Sequence, residues 1–285
     1  MNLKAFSVYE SFSDFSGMSG CYNAIGKTYL NQGNNELAKR YFNMAFDINQ
    51  KTSDKKAFGM ILINKGSLMI VQDSLNEAME LFSKAYDLYL ELGDLRRIAI
   101  SLFNMAAVQS KVGEYTDAIA KLNESLNIFY KLDEKYGQAM TYGLKSEIYN
   151  ISGDYKQAID YGEKALDLST HINSQTLQSE AFLLLSQAYK NDGDYFKALD
   201  FYENYHNTKT EMQSKNNAKR ISDIEYQAQL SANEKDIQLL NQRDRTKSLQ
   251  LYILIALTGI ILLSTFTFIL FLRLKNKNLR QKQEI

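Results

Sequence analysis

The chain has 285 residues, 45% hydrophobic and 23% charged, with a net charge of zero, which is enough for a packed core and excludes global disorder. Its single cysteine, Cys21, excludes an intramolecular disulfide framework. Residues 1–210 carry 21 Lys and Arg against 26 Asp and Glu, a net of −5, while 211–285 carry 12 against 7; the acidic body excludes broad binding to a nucleic-acid backbone.

Residues 1–17 read as a lead-in segment of helical pattern, without the apolar core of a secretory signal. From 18 to 210 the sequence repeats itself five times at a period of 40 residues. One column of small side chains is Ala38, Ala78, Ala118, Ala158 and Ala198, and another is Gly26, Gly66, Ala106, Ser146 and Ser186. A third is Ala45, Ala85, Ser125 and Ala165, with Tyr205 in the last copy. Small residues at helical spacing let helix backbones approach closely. Between these columns a turn residue recurs at Gly33, Asp73, Gly113, Gly153 and Gly193, types that tolerate the left-handed conformation ending a helix. Each unit is therefore a helix, a tight turn and an antiparallel helix, and a sequence period of this size predicts an all-α stacked solenoid. Cys21 falls in the first helix, as a packing thiol.

These motifs resemble the tetratricopeptide repeat over residues 18–210. The first helix of a unit carries Gly26 and Tyr29; the second carries Ala38, Phe42 and Ala45, and again Ala78, Phe82 and Ala85. Leu122 and Gly162 stand where the aromatic of the second helix is expected, and Met69 and Gln109 replace the tyrosine of the first. The resemblance implies a superhelical solenoid binding protein or peptide in a concave groove. The usual unit is about 34 residues, and the family's proline after the second helix is absent because the chain has no proline. The second helices are therefore expected to run on through the segments starting at Lys51, Glu91, Lys131 and His171.

Residues 211–250 contain no glycine and no proline, with Ile221, Ile224, Ala228, Leu230, Ile237 and Leu240 at fragments of 3–4 spacing. They predict a helical connector, either one with a weak coiled-coil seam through which two copies could pair as a homodimer or, because the heptad breaks at Ser231 and Lys235, a solvated single helix. Leu251–Leu272 follows as 22 residues without a charge, a helix of about 33 Å against a hydrocarbon core of ~30 Å, and so a transmembrane segment in a lipid bilayer. Arg273, Lys275, Lys277, Arg280 and Lys282 close it in a basic juxtamembrane tail, 273–285; that excess over Lys235, Arg243, Arg245 and Lys247 favours a cytoplasmic C-terminus. The order of parts resembles the sensor half of Bacteroidetes-type membrane histidine kinases and helix-turn-helix regulators. That resemblance implies a single-pass protein of the bacterial inner membrane, with an output domain beyond Ile285. The same layout also fits a membrane-anchored scaffold that assembles partners without signalling output.

Chemistry is sparse. His171, expected in an inter-repeat loop, and His206, expected near the end of the fifth second helix, stand thirty-five residues apart with no Cys, Asp or Glu at a ligand spacing that suggests a site, so no metal is expected. With no phosphate loop, nucleophile elbow or zinc-protease motif, the expectation is a non-enzymatic binding module without a cofactor. The first helices of the units should line the concave groove, and the period places Met60, Ile100 and Met140 in one column facing it. Asn23, Ile63, Phe103, Gly143 and Leu183 form a second column, and Lys27, Ser67, Ala107, Glu147 and Gln187 a third. Asn64 and Asn104 stand at the asparagine place of the family's carboxylate-binding version, but its basic partners are missing from units two to four. The expected ligand is therefore an apolar or amphipathic peptide segment rather than an acidic C-terminus.

Overall fold

The computed structural model describes residue 9 and residues 14–283, without the side chains at 232–234, 236–237, 239–241, 262, 271 and 274–283. Most of the lead-in segment over 1–17, the seam side chains of Ile237 and Leu240, and the tail's basic side chains beyond Arg273 lie outside the described residues. All regular structure among the described residues is helical: α1 Phe15–Asn31, α2 Asn35–Asn49, α3 Lys55–Val71, α4 Leu75–Leu92, α5 Leu95–Val112, α6 Tyr115–Lys131, α7 Lys135–Ser152, α8 Tyr155–His171, α9 Gln175–Asp192 and α10 Tyr195–Gln283. They fall into two units, divided between Met212 and Gln213.

In the first unit, the odd-numbered helices α1 to α7 each pair with the even-numbered helix that follows, α9 meets the start of α10 through Leu185, Tyr189 and Ala198, and each odd helix also touches the next odd one. The small columns explain the closeness. A Cβ on Gly26 would lie 2.6 Å from the Phe42 ring, and one on Gly66 would lie 2.6 Å from the Phe82 ring. Ala38, Ala78, Ala118 and Ala158 are fully buried. Serines in these columns tie the hairpins across: Ser125 Oγ donates to the Ala99 carbonyl at 2.8 Å, Ser146 to Ala158 at 2.7 Å and Ser186 to Ala198 at 2.8 Å. Each buried hydroxyl is thus satisfied where an unpaired one would be costly. Where the aromatic of the second helix is lost, neighbours fill the space: Leu122 is fully buried, and a Cβ on Gly162 would meet Leu185 Cδ2 at 2.8 Å.

Several helix starts are fixed by side-chain caps, such as Asp54 accepting from Ala57 N at 2.9 Å and Asp94 from Arg97 N at 3.2 Å. Helix ends follow a finer rhythm than the 40-residue period. Left-handed residues stand at Gly33, Asp73, Gly93, Gly113, Asp133, Gly153, Asn173 and Gly193, so every 20 residues, apart from position 53, the chain is told to turn. The second helices consequently do not run on as expected without proline. They stop at Asn49, Leu92, Lys131 and His171, because Gly, Asp or Asn supplies the stop at three of those four junctions. The next place in the rhythm is 213. Glutamine stands there, for which the left-handed conformation is costly, and α10 is helical through it. His171 is the last residue of α8 and not in a loop as expected, and His206 lies inside α10 and not near a helix end as expected.

The second unit is helical throughout its described residues, and its described side chains are exposed except that of Leu230, which is half-buried. Within it, Gln242–Leu270 is long and apolar enough to cross a membrane by length and composition. Its hydroxyls are satisfied by its own backbone, with Thr258 donating to Ile255 O at 2.8 Å and Ser264 to Ile261 O at 2.8 Å.

Candidate ligand groove

The odd-numbered helices line three cavities that share residues and so form one strip. The first, about 220 Å³, is bounded by Asn23, Lys27, Met60 and Asn64 among others. The second, about 280 Å³, is bounded by Lys27, Arg96, Ile100, Phe103, Asn104 and Met140. The third, about 370 Å³, takes Phe103, Ala107, Met140, Gly143, Glu147, Leu183 and Gln187. Lys27 joins the first to the second, and Phe103 and Met140 join the second to the third.

The period therefore brings together Met60, Asn64, Ile100, Phe103, Asn104, Ala107, Met140 and Leu183. Ile63 is the exception. It lines none of the described cavities and packs instead against the buried clusters containing Leu62, Leu68, Phe82 and Tyr89. The reason is helix phase: one residue step turns about 100°, so the neighbour Asn64 faces the strip while Ile63 faces the seam between layers. Phe103 serves both, because it also packs against the cluster of Ala106, Leu122 and Ile148. Both asparagine side chains already donate within the protein, Asn64 Nδ2 to Asn23 Oδ1 at 2.9 Å and Asn104 Nδ2 to the Ile100 carbonyl at 2.9 Å.

Sequence reasoning passed over Leu177, Glu180, Ala181 and Leu184, which also line the third cavity. Glu180 and Leu184 stand one period after Met140 and Leu144, so extending the columns to the fifth unit would have found them. Glu180 keeps solvent contact at the rim, but its carboxyl sits against the cavity wall, and loss of hydration raises its pKa. Glu147 and Glu180 have no ion-pair partner among the described residues. In the second cavity Arg96 is paired with Glu134 at 3.2 Å, whereas Lys27 is unpaired among the described residues. The strip is thus apolar along its length, with a free cation toward one end and two free carboxylates toward the other.

Behind the third cavity stands a polar seam. Buried Lys145 donates to Asn123 Oδ1 at 2.9 Å and lies 4.0 Å from the centre of the Tyr161 ring. Tyr142 shares a short hydroxyl contact with Tyr130, and burial together with that contact pushes its pKa up. These groups are occupied by one another and line none of the described cavities. Among the described residues there is no group of three or more His, Cys, Asp or Glu side chains placed to hold a metal ion.

A family model described as tetratricopeptide repeat matches residues 58–131, and a second of the same description matches 19–52 and 139–171. No curated protein sequence matches the chain. Among solved structures, BtubC from P. vanneervenii is similar at 18% identity and a TM-score of 0.61, covering 74% of this chain and 89% of that one. A Rap protein solved with Competence and Sporulation Factor is similar at 22% identity and a TM-score of 0.65, covering 70% of this chain and 56% of that one. A signal-transduction ATPase with a tetratricopeptide repeat sensor from Pyrococcus horikoshii is similar at 21% identity and a TM-score of 0.58, covering 71% of this chain and 32% of that one. At these identities the likeness is one of fold.

Proposed function

We propose, from the premise that this chain carries tetratricopeptide repeats and is a protein-interaction scaffold by fold, that its concave strip captures an amphipathic peptide segment while Leu251–Leu272 holds the repeats at a lipid bilayer. The observation that carries the reading is the joined strip of three cavities, whose walls repeat at the period of the sequence. An apolar strip with a few convergent polar groups is the usual chemistry of a peptide groove. The unpaired Glu147 and Glu180 favour a ligand with a basic residue at the third cavity, flanked by aliphatic ones. An acidic ligand would place like charges together there at a cost. This agrees with the absence of a basic cluster at the carboxylate-binding places. No covalent chemistry is assigned to the strip.

Membrane attachment rests on the length of the apolar stretch and on hydroxyls that need no water, which lipid requires of a spanning helix. Binding at the repeats, held at a membrane by a helical connector, fits the sensor or interaction part of a signalling protein. A scaffold without output uses the same parts.

The test is fluorescence anisotropy with three synthetic 14-residue amphipathic helical peptides that share one aliphatic face and differ only in charge. The basic peptide should bind most tightly and the acidic one least. Met140→Glu and Ile100→Glu, on side chains outside the buried clusters, should abolish binding with helicity unchanged. Affinity independent of charge, or untouched by both substitutions, would remove the groove from the account.

A further inference from the structure

We infer that the outer face of the fifth repeat, at the start of α10, is a two-fold interface between copies of this chain. In the first four repeats the second helix is covered by the helix that follows. Phe42 packs with Leu68, Phe82 with Val108, and Leu122 with Ile148, and all three rings or side chains are 0% exposed. The corresponding Tyr202 is 50% exposed. Leu199 departs in the same way: its equivalents Met79, Ile119 and Ile159 pack against buried clusters, whereas Leu199 is 58% exposed. The residues due by the period to supply the next covering helix, 215–232, are part of α10 itself, because the turn residue is missing at 213.

An uncovered end would explain Tyr202 and Leu199 as a mere remnant of the repeat. Phe196 does not fit that explanation. The four earlier repeats carry Glu36, Asn76, Thr116 and Lys156 at its place, all exposed. Only the last repeat has an aromatic there, and it is 86% exposed. With Tyr195 it widens the stripe on the side away from the core, where apolar surface has no use in a monomer, and terminal repeats normally present a polar outer face.

The occupant follows from the continuity of this face with the stacking interface upstream. Each covered face receives an α-helix carrying an apolar stripe. The end of α10's repeat portion is itself such a helix, so a two-fold axis lets each copy supply the cover that the other lacks. Tyr195, Phe196, Leu199 and Tyr202 together expose on the order of 500 Å² per copy, given 150–250 Å² for an aromatic side chain. Two copies would bury about 1,000 Å², the lower bound for a specific contact.

The experiment is sedimentation equilibrium of the full chain in a density-matched detergent, with Phe196→Glu and Leu199→Glu made singly. The expected result is a dimer whose dissociation constant rises at least about 100-fold in each variant. Circular dichroism should be unchanged, and so should melting at concentrations where the parent chain is also monomeric, because both side chains are exposed in the single copy. In parallel, Leu199→Cys in a Cys21→Ser background should form a disulfide-linked dimer under mild oxidation, and Lys156→Cys in the same background should not. A wild-type monomer at tens of micromolar would overturn the inference. So would a dimer that survives both charged substitutions, since its contact would then lie elsewhere, along the connector for instance.

Discussion

Phe82 and Tyr202 hold the same place in the second and fifth repeats, yet one ring is sealed and the other half open to solvent. The sequence signature around them is similar; what differs is the residue eleven positions on. Gly93 turns the chain back after the second repeat, so a covering helix follows. Gln213 stands at the corresponding place after the fifth, and no cover follows. A repeat motif is therefore core or surface according to its successor, and the local pattern alone does not decide which.

That comparison can be broken at several points. Phe82→Ala should cost about 3–5 kcal/mol of stability by urea unfolding, through lost burial and a cavity, whereas Tyr202→Ala should cost under about 1 kcal/mol at concentrations where the chain is monomeric. Equal costs there would mean that the fifth face is covered within the single copy after all. Ala118→Leu should cost about 1–3 kcal/mol, because the fully buried alanine leaves no room for a larger side chain. Lys197→Leu, on an exposed position of α10, should stay within about 0.5 kcal/mol by the same measurement. Gln213→Gly should weaken the helix by about 1 kcal/mol locally, visible as faster amide exchange around 213 with the first four repeats unaffected.

The smallest effect sits in the groove. The raised pKa of Glu180 means the fold prefers its protonated form. Its favourable contribution is complete at pH below the ordinary carboxyl range and is lost as pH rises through the shifted value. On going from pH 4 to pH 7 the melting temperature should therefore shift slightly further upward, or less far downward, in Glu180→Gln than in the parent chain. An unchanged pH difference would place the carboxyl in full contact with water.

The fold was legible because close-packed helices demand small residues at fixed intervals, and Ala38 to Ala198 display that demand directly. The groove was legible through the same period, down to Met60, Asn64, Ile100 and Met140. Ile63 was misplaced because a column in sequence does not reveal helix phase to within one residue, and at the concave edge one step separates surface from seam. Leu177 and Ala181 escaped for another reason: they reach the third cavity through the way α9 lies against α7, which no interval along the chain encodes. Helix ends were overextended because the missing proline was weighed, while Gly93, Asp133 and Asn173, which do the stopping, were not.

The most direct test of the account is photo-crosslinking in living cells of the source organism, with a benzophenone amino acid placed at 140, at 183 and, as a control on an exposed second-helix position, at 124. Irradiation followed by mass spectrometry should recover one protein segment, amphipathic and bearing a basic residue, attached from 140 and 183 and not from 124. Attachment from all three positions alike, or from 124 alone, would contradict a concave strip that captures a peptide.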